Sequence, residues 1–239
     1  TPCGTLFPYT TLFRSAEYGA KVVAADQSEQ KAGATADEIN TYGGEAIALR
    51  VDVTNWSDIQ KMVETTVETF GGIDILVNSV GMNIRKMVID MEEEDWDKVI
   101  SVNLKGVFLC CKAAGAVMIK QKRGKVINIA SISSILGHTA RCAYASSKGG
   151  EVQMSKVMAH EWAPYNINVN VISPAAIDTP FIDGLKQSPE KLEYERKRIP
   201  LGRIGTPEDV VGSVIFLASE ASDFITGANL LVDGGRIID

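Results

Sequence analysis

The sequence predicts a single-domain α/β protein built on a doubly wound parallel sheet. Two observations predict this fold: apolar, β-rich runs alternate with amphipathic segments, and the runs lack the polar alternation of a sheet with one face in water. Strands of this kind are covered by helices on both faces. Right-handed crossovers then bring ligands to the carboxyl ends of the strands.

The predicted strands are short runs rich in valine, isoleucine and alanine. Most of them are followed by a segment with helical periodicity, as a parallel sheet requires. They span residues 21–26, 46–52, 75–78, 125–130, 167–172 and 230–232.

The predicted helices carry end signals. Ser28 is a suitable N-cap for the first, and Gly71 with Gly72 ends the second. Segment 181–200 is charged and weakly apolar, and both a solvated surface helix and a mobile lid over the site fit its composition. The predicted helices span residues 28–42, 56–70, 92–120, 142–163 and 209–218.

Composition excludes several classes of protein. With 239 residues, of which 45% are hydrophobic and 23% charged, the chain can bury the core of one domain. A net charge of −6 argues against binding to nucleic acid, whose phosphates demand a basic surface. No apolar run is long enough to span a bilayer and none indicates a signal peptide, so we expect a cytoplasmic protein. The four cysteines are predicted to be reduced thiols. Neither they nor the scattered histidines have the spacing of metal ligands, so no metal site is predicted.

The first fifteen residues differ from the rest of the chain. Segment 5–15, with the sequence TLFPYTTLFRS, resembles the in-frame translation of a common high-throughput sequencing adapter. Its apolar residues follow neither helical nor strand periodicity, and Pro8 interrupts any strand. We therefore expect residues 1–15 to be a non-native segment and residues 16–239 to form the domain, with residue 16 near the end of a helix. The alternative is a genuine N-terminal strand and turn.

Tyr144 and Lys148 form the most informative pair of side chains. They stand four residues apart on a predicted helix, so both project from one face. A lysine ammonium one turn away favours the phenolate, which lets tyrosine exchange a proton with a substrate oxygen. Ser131 follows the strand KVINIA at a carboxyl strand end, where its hydroxyl can hydrogen-bond the same oxygen. Taken alone, the pair could equally be two surface residues of a helix.

Several further strings make the pattern specific. NIAS and YASSK contain Ser131, Tyr144 and Lys148, and DVT, NSVG, VNLKG, SPAAIDTP and ITGANLLVDGG fall in the matching order around them. From residue 16 onward the chain resembles the short-chain dehydrogenase/reductase family. The resemblance implies a Rossmann-like domain and an oxidoreductase that uses NAD or NADP to interconvert a secondary alcohol and a ketone.

The resemblance also implies roles for individual residues. Ser131 would orient the substrate, Tyr144 would be the general acid/base, and Lys148 would also hold the nicotinamide ribose. Asn103 would hold a water that links Lys148 to solvent, the alternative being an amide that bonds locally within its helix. The remaining cofactor contacts would be Asp52 and Val53 at the adenine, Asn78 and Gly81 at its ribose, and Ile177 and Thr179 at the nicotinamide amide and the phosphates.

Asp26 bears on the choice of cofactor. It ends a predicted strand, where its carboxylate can accept hydrogen bonds from the adenosine ribose and would repel the extra phosphate of NADP. We therefore expect NAD, with NADP less favoured. The alternative role for Asp26 is that of a helix cap or turn residue.

The chain departs from the family pattern in three places. Val80 replaces a small alanine, and Ala175 follows Pro174 where glycine is usual. The third departure is larger: the glycine-rich turn and the strand before it are absent from the sequence. That turn supplies backbone N–H groups and a helix N-terminus to the pyrophosphate, so we expect the chain to bind cofactor poorly and to fold less well.

Two loops should lie over the reacting carbon. Asn83, Arg85 and His138 lie on them, and arginine suits a carboxylate while asparagine and histidine suit hydroxyls. NIRK and the HEWAPYNINVNVISPAA string most resemble gluconate 5-dehydrogenases and related sugar-acid enzymes of the family, although ordinary surface charges would also explain these side chains.

Two other functions fit the same residues. The first is a 3-oxoacyl-acyl-carrier-protein reductase, which would need a basic docking patch for its acidic partner. The second is a non-enzymatic cofactor-sensing protein, which would have no use for a tuned phenol. The resemblance implies a small-molecule substrate and a homotetramer joined through helices 92–120 and 142–163 and through the C-terminal strand.

Overall fold

Six parallel strands form the framework of the computed structural model, which describes residues 8–238. They lie in two sheets, one of two strands and one of four. The first sheet pairs β1 (Lys21–Asp26) with β2 (Glu45–Arg50), and the second has the order β3 (Ile75–Asn78), β4 (Gly124–Ile129), β5 (Ile167–Pro174) and β6 (Asn229–Val232). The predicted α/β class with parallel strands is confirmed.

Helices connect the strands and cover them, as the alternating sequence predicts. Their ends agree with the cap signals: Ser28 accepts a hydrogen bond from the Lys31 N–H, and Gly71 takes the left-handed conformation that ends the third helix. The helices are α1 (Pro8–Glu17), α2 (Glu29–Thr41), α3 (Trp56–Phe70), α4 (Glu93–Ile100), α5 (Val107–Gln121), α6 (Cys142–Trp162), α7 (Asp183–Lys186), α8 (Pro189–Lys197) and α9 (Pro207–Ala218).

The predicted helix 92–120 is continuous but not uniform. A π-helical stretch, Ser101–Gly106, joins α4 to α5, and such widened turns frequently mark functional sites. By length and composition alone Glu93–Gln121 could cross a membrane, yet half of its most apolar stretch is buried inside the protein. Val107, Cys111 and Met118 have no exposed surface and pack against β4 and β5, which is typical of a core helix.

The N-terminal segment corrects one expectation. Residues 8–17 are helical, although their apolar pattern had predicted neither helix nor strand. Pro8 stands in the first turn, where a missing N–H costs nothing. Leu12 and Phe13 pack against the buried residues of α2, β1 and β2, and the Phe13 ring meets Tyr42 edge-on with centroids 5.3 Å apart. The remainder of the predicted non-native segment, residues 1–7 with Cys3, lies outside the described residues.

Segment 181–200 is mostly helical and lies beside the carboxyl end of β5. It contributes α7 and α8, which follow a 3₁₀ turn at Pro180–Ile182. The side chains of Phe181, Leu185 and Glu195 face the same pocket as Tyr144. Helix α8 has no buried residue, as expected for a solvated surface helix, and a lid motion of the segment stays a prediction.

The gap between the two sheets has a physical consequence. Within residues 8–238, β1 pairs only with β2, and the outer edge of β3 has no strand beside it. Ile75 on β3 remains 39% exposed as a result. Unpaired edges leave backbone donors and acceptors to water. The strand that precedes the glycine-rich turn in the family pattern is predicted to pair with both edges.

We expect completion of this gap to strengthen nucleotide binding. A chain whose residues 1–7 are replaced by a strand and a glycine-rich turn leading into α1 should bind NAD at least about tenfold more tightly, because the turn offers backbone N–H groups to the pyrophosphate. Calorimetric titration measures the affinity. The same replacement with alanines in place of the turn glycines separates phosphate binding from sheet completion, and equal affinity in parent and replacement would contradict the expectation.

Candidate active site

The site forms where α6 meets the end of β4. Lys148 on α6 has no exposed surface, and its Nζ donates a hydrogen bond of 2.7 Å to the Ile129 carbonyl oxygen, the last residue of β4. Ser131 lies two residues further along the chain, and Tyr144 lies one helical turn before Lys148. This one contact therefore fixes where the tyrosine and the serine can meet, and both line one pocket.

Ser131 is held in a defined orientation. Its backbone is extended, and its Oγ accepts a hydrogen bond of 3.1 Å from the Ser133 N–H at the start of a short 3₁₀ turn. The Ser133 hydroxyl lies 3.1 Å from His138 Nδ1, which links the loop to the predicted substrate side. Ser131 and Tyr144 are 9% and 3% exposed, so a substrate oxygen between them would be largely shielded from water.

Lys148 has a second partner that the sequence analysis missed. Its Nζ donates to Glu151 Oε2 at 2.8 Å, and neither side chain has exposed surface. An ammonium has three N–H donors, and the described residues occupy two of them. The remaining donor suits a hydroxyl of a bound ribose. An acidic residue three positions after Lys148 on one helix face is the signal that could have identified Glu151.

Asn103 is buried within the π-helical stretch. Its Oδ1 accepts from the Met82 N–H and its Nδ2 donates to the Met82 carbonyl, each at 2.9 Å, while Nδ2 also reaches Ser147 Oγ at 3.1 Å. These partners are distant in sequence, so the alternative of a locally bonded amide does not hold. Asn103 joins the loop after β3 to α6, and its water-mediated link to Lys148 stays a prediction.

The substrate side of the pocket is basic. Arg85, Arg141 and His138 line it, with Glu195 as the acidic group facing them. The pKa values of Arg85 and His138 lie below their ordinary values, chiefly because neighbouring atoms exclude water and secondly because Arg141 repels a further positive charge. An anionic group entering the pocket would relieve that repulsion. Asn83 does not line this pocket, and its buried Oδ1 has no hydrogen-bond partner among residues 8–238.

The predicted cofactor residues divide into two groups. Ile177 and Thr179 line the pocket beside Tyr144, as expected for contacts to a nicotinamide. Asn78 instead lies in the core, where its Nδ2 donates to Asn128 Oδ1 at 2.8 Å and to Cys111 Sγ at 3.2 Å. These bonds occupy both of its N–H groups.

The residues predicted to contact the adenosine do not line this pocket. Asp26 ends β1, and its Oδ1 accepts from the Ser28 N–H at 2.8 Å, which is the turn role held open as the alternative. Hydrogen bonds from the Thr54 hydroxyl and N–H lower the pKa of Asp52. Val53 packs against Gly106, where a Cβ would approach its Cγ2 to 2.7 Å. Gly81 is buried directly before Met82.

Comparison with known proteins identifies the family. The model described as enoyl-(acyl carrier protein) reductase matches residues 13–236. The chain belongs to the short-chain dehydrogenase/reductase family. It is therefore an oxidoreductase enzyme with a Rossmann-like fold, as the sequence motifs predicted.

Relatives within the family carry different activities. The chain is 40% identical over 230 residues to a 3-oxoacyl-(acyl-carrier-protein) reductase of Thermotoga maritima, covering 96% of this chain and 92% of the relative. It is 42% identical over 223 residues to an NAD-dependent glycerol dehydrogenase of Listeria innocua, with coverage of 93% and 86%. The crystal structure of a gluconate 5-dehydrogenase from Burkholderia cenocepacia, in complex with NADP and tartrate, superimposes with a TM-score of 0.92 at 35% identity, covering 96% and 91%.

We expect Asn103→Ala to destabilise the enzyme. The substitution leaves the Met82 N–H and carbonyl without their buried partner, which should lower the free energy of unfolding by about 1–3 kcal/mol. Urea unfolding measures the loss. Gln60→Ala, which removes an exposed amide from α3, is the matched control. Equal stability of the two variants would show that the Asn103 contacts contribute nothing.

Proposed function

We propose that this enzyme interconverts a secondary alcohol and a ketone on a sugar acid or polyol, with NAD as the preferred cofactor. The observation that carries the proposal is the placement of Arg85 and Arg141 in one pocket with Tyr144 and Ser131. A hydroxy acid held by its carboxylate at the arginines would present a neighbouring hydroxyl to the phenol. The relatives named for glycerol and gluconate support this substrate class.

Each side chain has a distinct part in the proposed reaction. Tyr144 gives a proton to the carbonyl oxygen during reduction and takes it back from the alcohol during oxidation. Ser131 donates a hydrogen bond to the same oxygen and fixes its position. The Lys148 ammonium stabilises the phenolate that remains after proton transfer. A bound nicotinamide supplies the hydride exchange at the adjacent carbon.

The nicotinamide end of the site fits such a cofactor. Lys148 retains an N–H donor beyond those given to Ile129 and Glu151, and Ile177 and Thr179 line the same pocket. Within residues 8–238 no strand pairs with both β1 and β3, and we expect weak contacts to the pyrophosphate. Asp26 supports NAD over NADP, because its carboxylate would repel the additional 2′-phosphate of NADP. One relative is named for NAD and another structure holds NADP, so both cofactors occur among the relatives.

A 3-oxoacyl-acyl-carrier-protein reductase is the rival activity, supported by the Thermotoga maritima relative. Such an enzyme must dock an acidic protein, which is disfavoured by a chain with a net charge of −6. A purely cofactor-sensing role receives no support from relatives that are named for enzyme activities.

The proposal also includes assembly of the enzyme into a homotetramer in the cytoplasm. Phe108 on α5 and Val157 on α6 are 41% and 49% exposed, and they lie on the two helices expected to join the subunits. Burial of these apolar side chains against a second copy would remove them from water.

Tyr144→Phe tests the chemistry. Without the hydroxyl, kcat/KM for alcohol oxidation should fall by at least about 100-fold, while the dissociation constant of NAD changes by less than about twofold. Steady-state kinetics and fluorescence titration give the two values. Tyr42→Phe, at a tyrosine that is 73% exposed, is the control and should leave both unchanged. Retained turnover in Tyr144→Phe would contradict the proposed proton transfer.

Arg85→Ala tests the substrate class. The KM for gluconate should rise at least about tenfold because a charge-assisted hydrogen bond to the carboxylate is lost. The KM for an uncharged polyol should stay the same. Arg123→Ala removes a surface arginine that pairs with Asp74 and is the control. A parallel rise for both substrates would indicate a general effect on the pocket.

A further inference from the structure

Glu151 is a buried acid that the proposed reaction does not use. It lies on α6 three residues after Lys148 and has no exposed surface. Its Oε2 accepts the hydrogen bond from Lys148, whereas its Oε1 is buried with no hydrogen-bond partner among residues 8–238. Removal of a carboxyl group from water is costly, so its presence at this position requires an explanation.

The surroundings of Glu151 leave Lys148 as its charged partner. From α5, Cys111 faces it, and burial raises the pKa of that thiol so that it stays neutral. From β4, Asn128 reaches the same region through Ser155, whose Oγ donates to the Glu151 carbonyl oxygen at 2.7 Å. Among the described residues the electrostatic effect of the Glu151 carboxylate therefore falls chiefly on the Lys148 ammonium.

We propose that Glu151 is a positioning residue for proton transfer, which holds the Lys148 ammonium in place and offsets the positive charge that Tyr144 experiences. The inference rests on the proposed roles of Tyr144 and Lys148. Charges inside a protein act with little screening, so a carboxylate 2.8 Å from Nζ reduces the field at the phenol. The phenolate then forms at a higher pH than it would beside an unpaired lysine.

The Glu151 carboxyl can act in this way only when it is ionised. Burial raises its pKa to about 7, and the attraction of Lys148 opposes that rise. At pH values above about 7 the carboxylate is ionised, which is the range where a phenol begins to lose its proton. The folded protein binds this proton more tightly than the unfolded chain, whose glutamate has its ordinary pKa of 4.5. The contribution to stability is therefore lost as pH rises from about 4.5 to about 7, and is constant above that.

The decisive measurement is the ultraviolet titration of the Tyr144 phenol, without cofactor or substrate. For the parent and for each variant, subtraction of the spectrum of the same protein carrying Tyr144→Phe leaves the absorbance of Tyr144. In Glu151→Gln, which keeps the size of the side chain, the Tyr144 phenolate should appear about half a pH unit or more below the parent. Glu161→Gln, an exposed acid on the same helix, is the control and should titrate like the parent.

A second variant guards against misfolding. Glu151→Leu needs no hydrogen-bond partner and should show the same downward shift. Urea unfolding between pH 4.5 and 7 shows whether each variant folds. In Glu151→Gln and Glu151→Leu the free energy of unfolding should not show the decrease with rising pH that Glu151 causes in the parent. Parent-like phenolate titration in either folded variant would overturn the proposal.

A third background shows whether the effect passes through the lysine. In Lys148→Met the ammonium that Glu151 holds is absent, so adding Glu151→Gln should move the Tyr144 titration by less than it does when Lys148 is present. A full shift in that background would also overturn the proposal. The titration requires no turnover. A protein that shows the predicted shifts but oxidises no alcohol would therefore contradict the proposed function and leave the role of Glu151 supported.

Discussion

The buried ammonium of Lys148 is the constraint on which the site depends. A fully buried cation must find polar partners, and here these are the Ile129 carbonyl and the Glu151 carboxylate. The bond to Ile129 attaches α6 to the end of β4. Tyr144 precedes Lys148 by one helical turn and Ser131 follows Ile129 by two residues, so a single attachment brings together both groups that would contact the substrate oxygen.

Polar groups behind the site extend this constraint into the core. Asn78 on β3 donates to Asn128 on β4, which donates to Ser155 on α6. The two strands and the helix that these hydrogen bonds join must keep their register, because a shift would leave a buried amide or hydroxyl without a partner. In this network the Asn78 amide aligns the two strands with the helix that carries Lys148, and its contact with a ribose stays a prediction.

Much of this arrangement could be predicted from local pattern. Short runs rich in valine and isoleucine predicted the strands, because their length and composition favour a buried sheet. A spacing of four on a helix placed Tyr144 and Lys148 on one face. The helix at Pro8–Glu17 was not predicted, because its stability comes from packing of Leu12 and Phe13 against α2 and the first sheet. Hydrophobic periodicity carries no information about such distant partners.

The burial of side-chain pairs was beyond the sequence. The spacing of three residues allows Glu151 to pair with Lys148, but only the fold shows that both side chains are fully buried. Asn83 was expected near the substrate from its place in a loop, yet the pocket is lined by Arg85 two residues later. The direction in which a loop side chain points depends on backbone angles that composition does not determine.

The most direct test of this account is nuclear magnetic resonance of the Lys148 Nζ, assigned with a Lys148→Met variant. A charged ammonium with slowly exchanging protons and a through-bond coupling to the Ile129 carbonyl carbon is expected at pH 7–8. A neutral amine, or an ammonium whose protons exchange with water as fast as those of surface lysines, would contradict the claim that this buried contact builds the site.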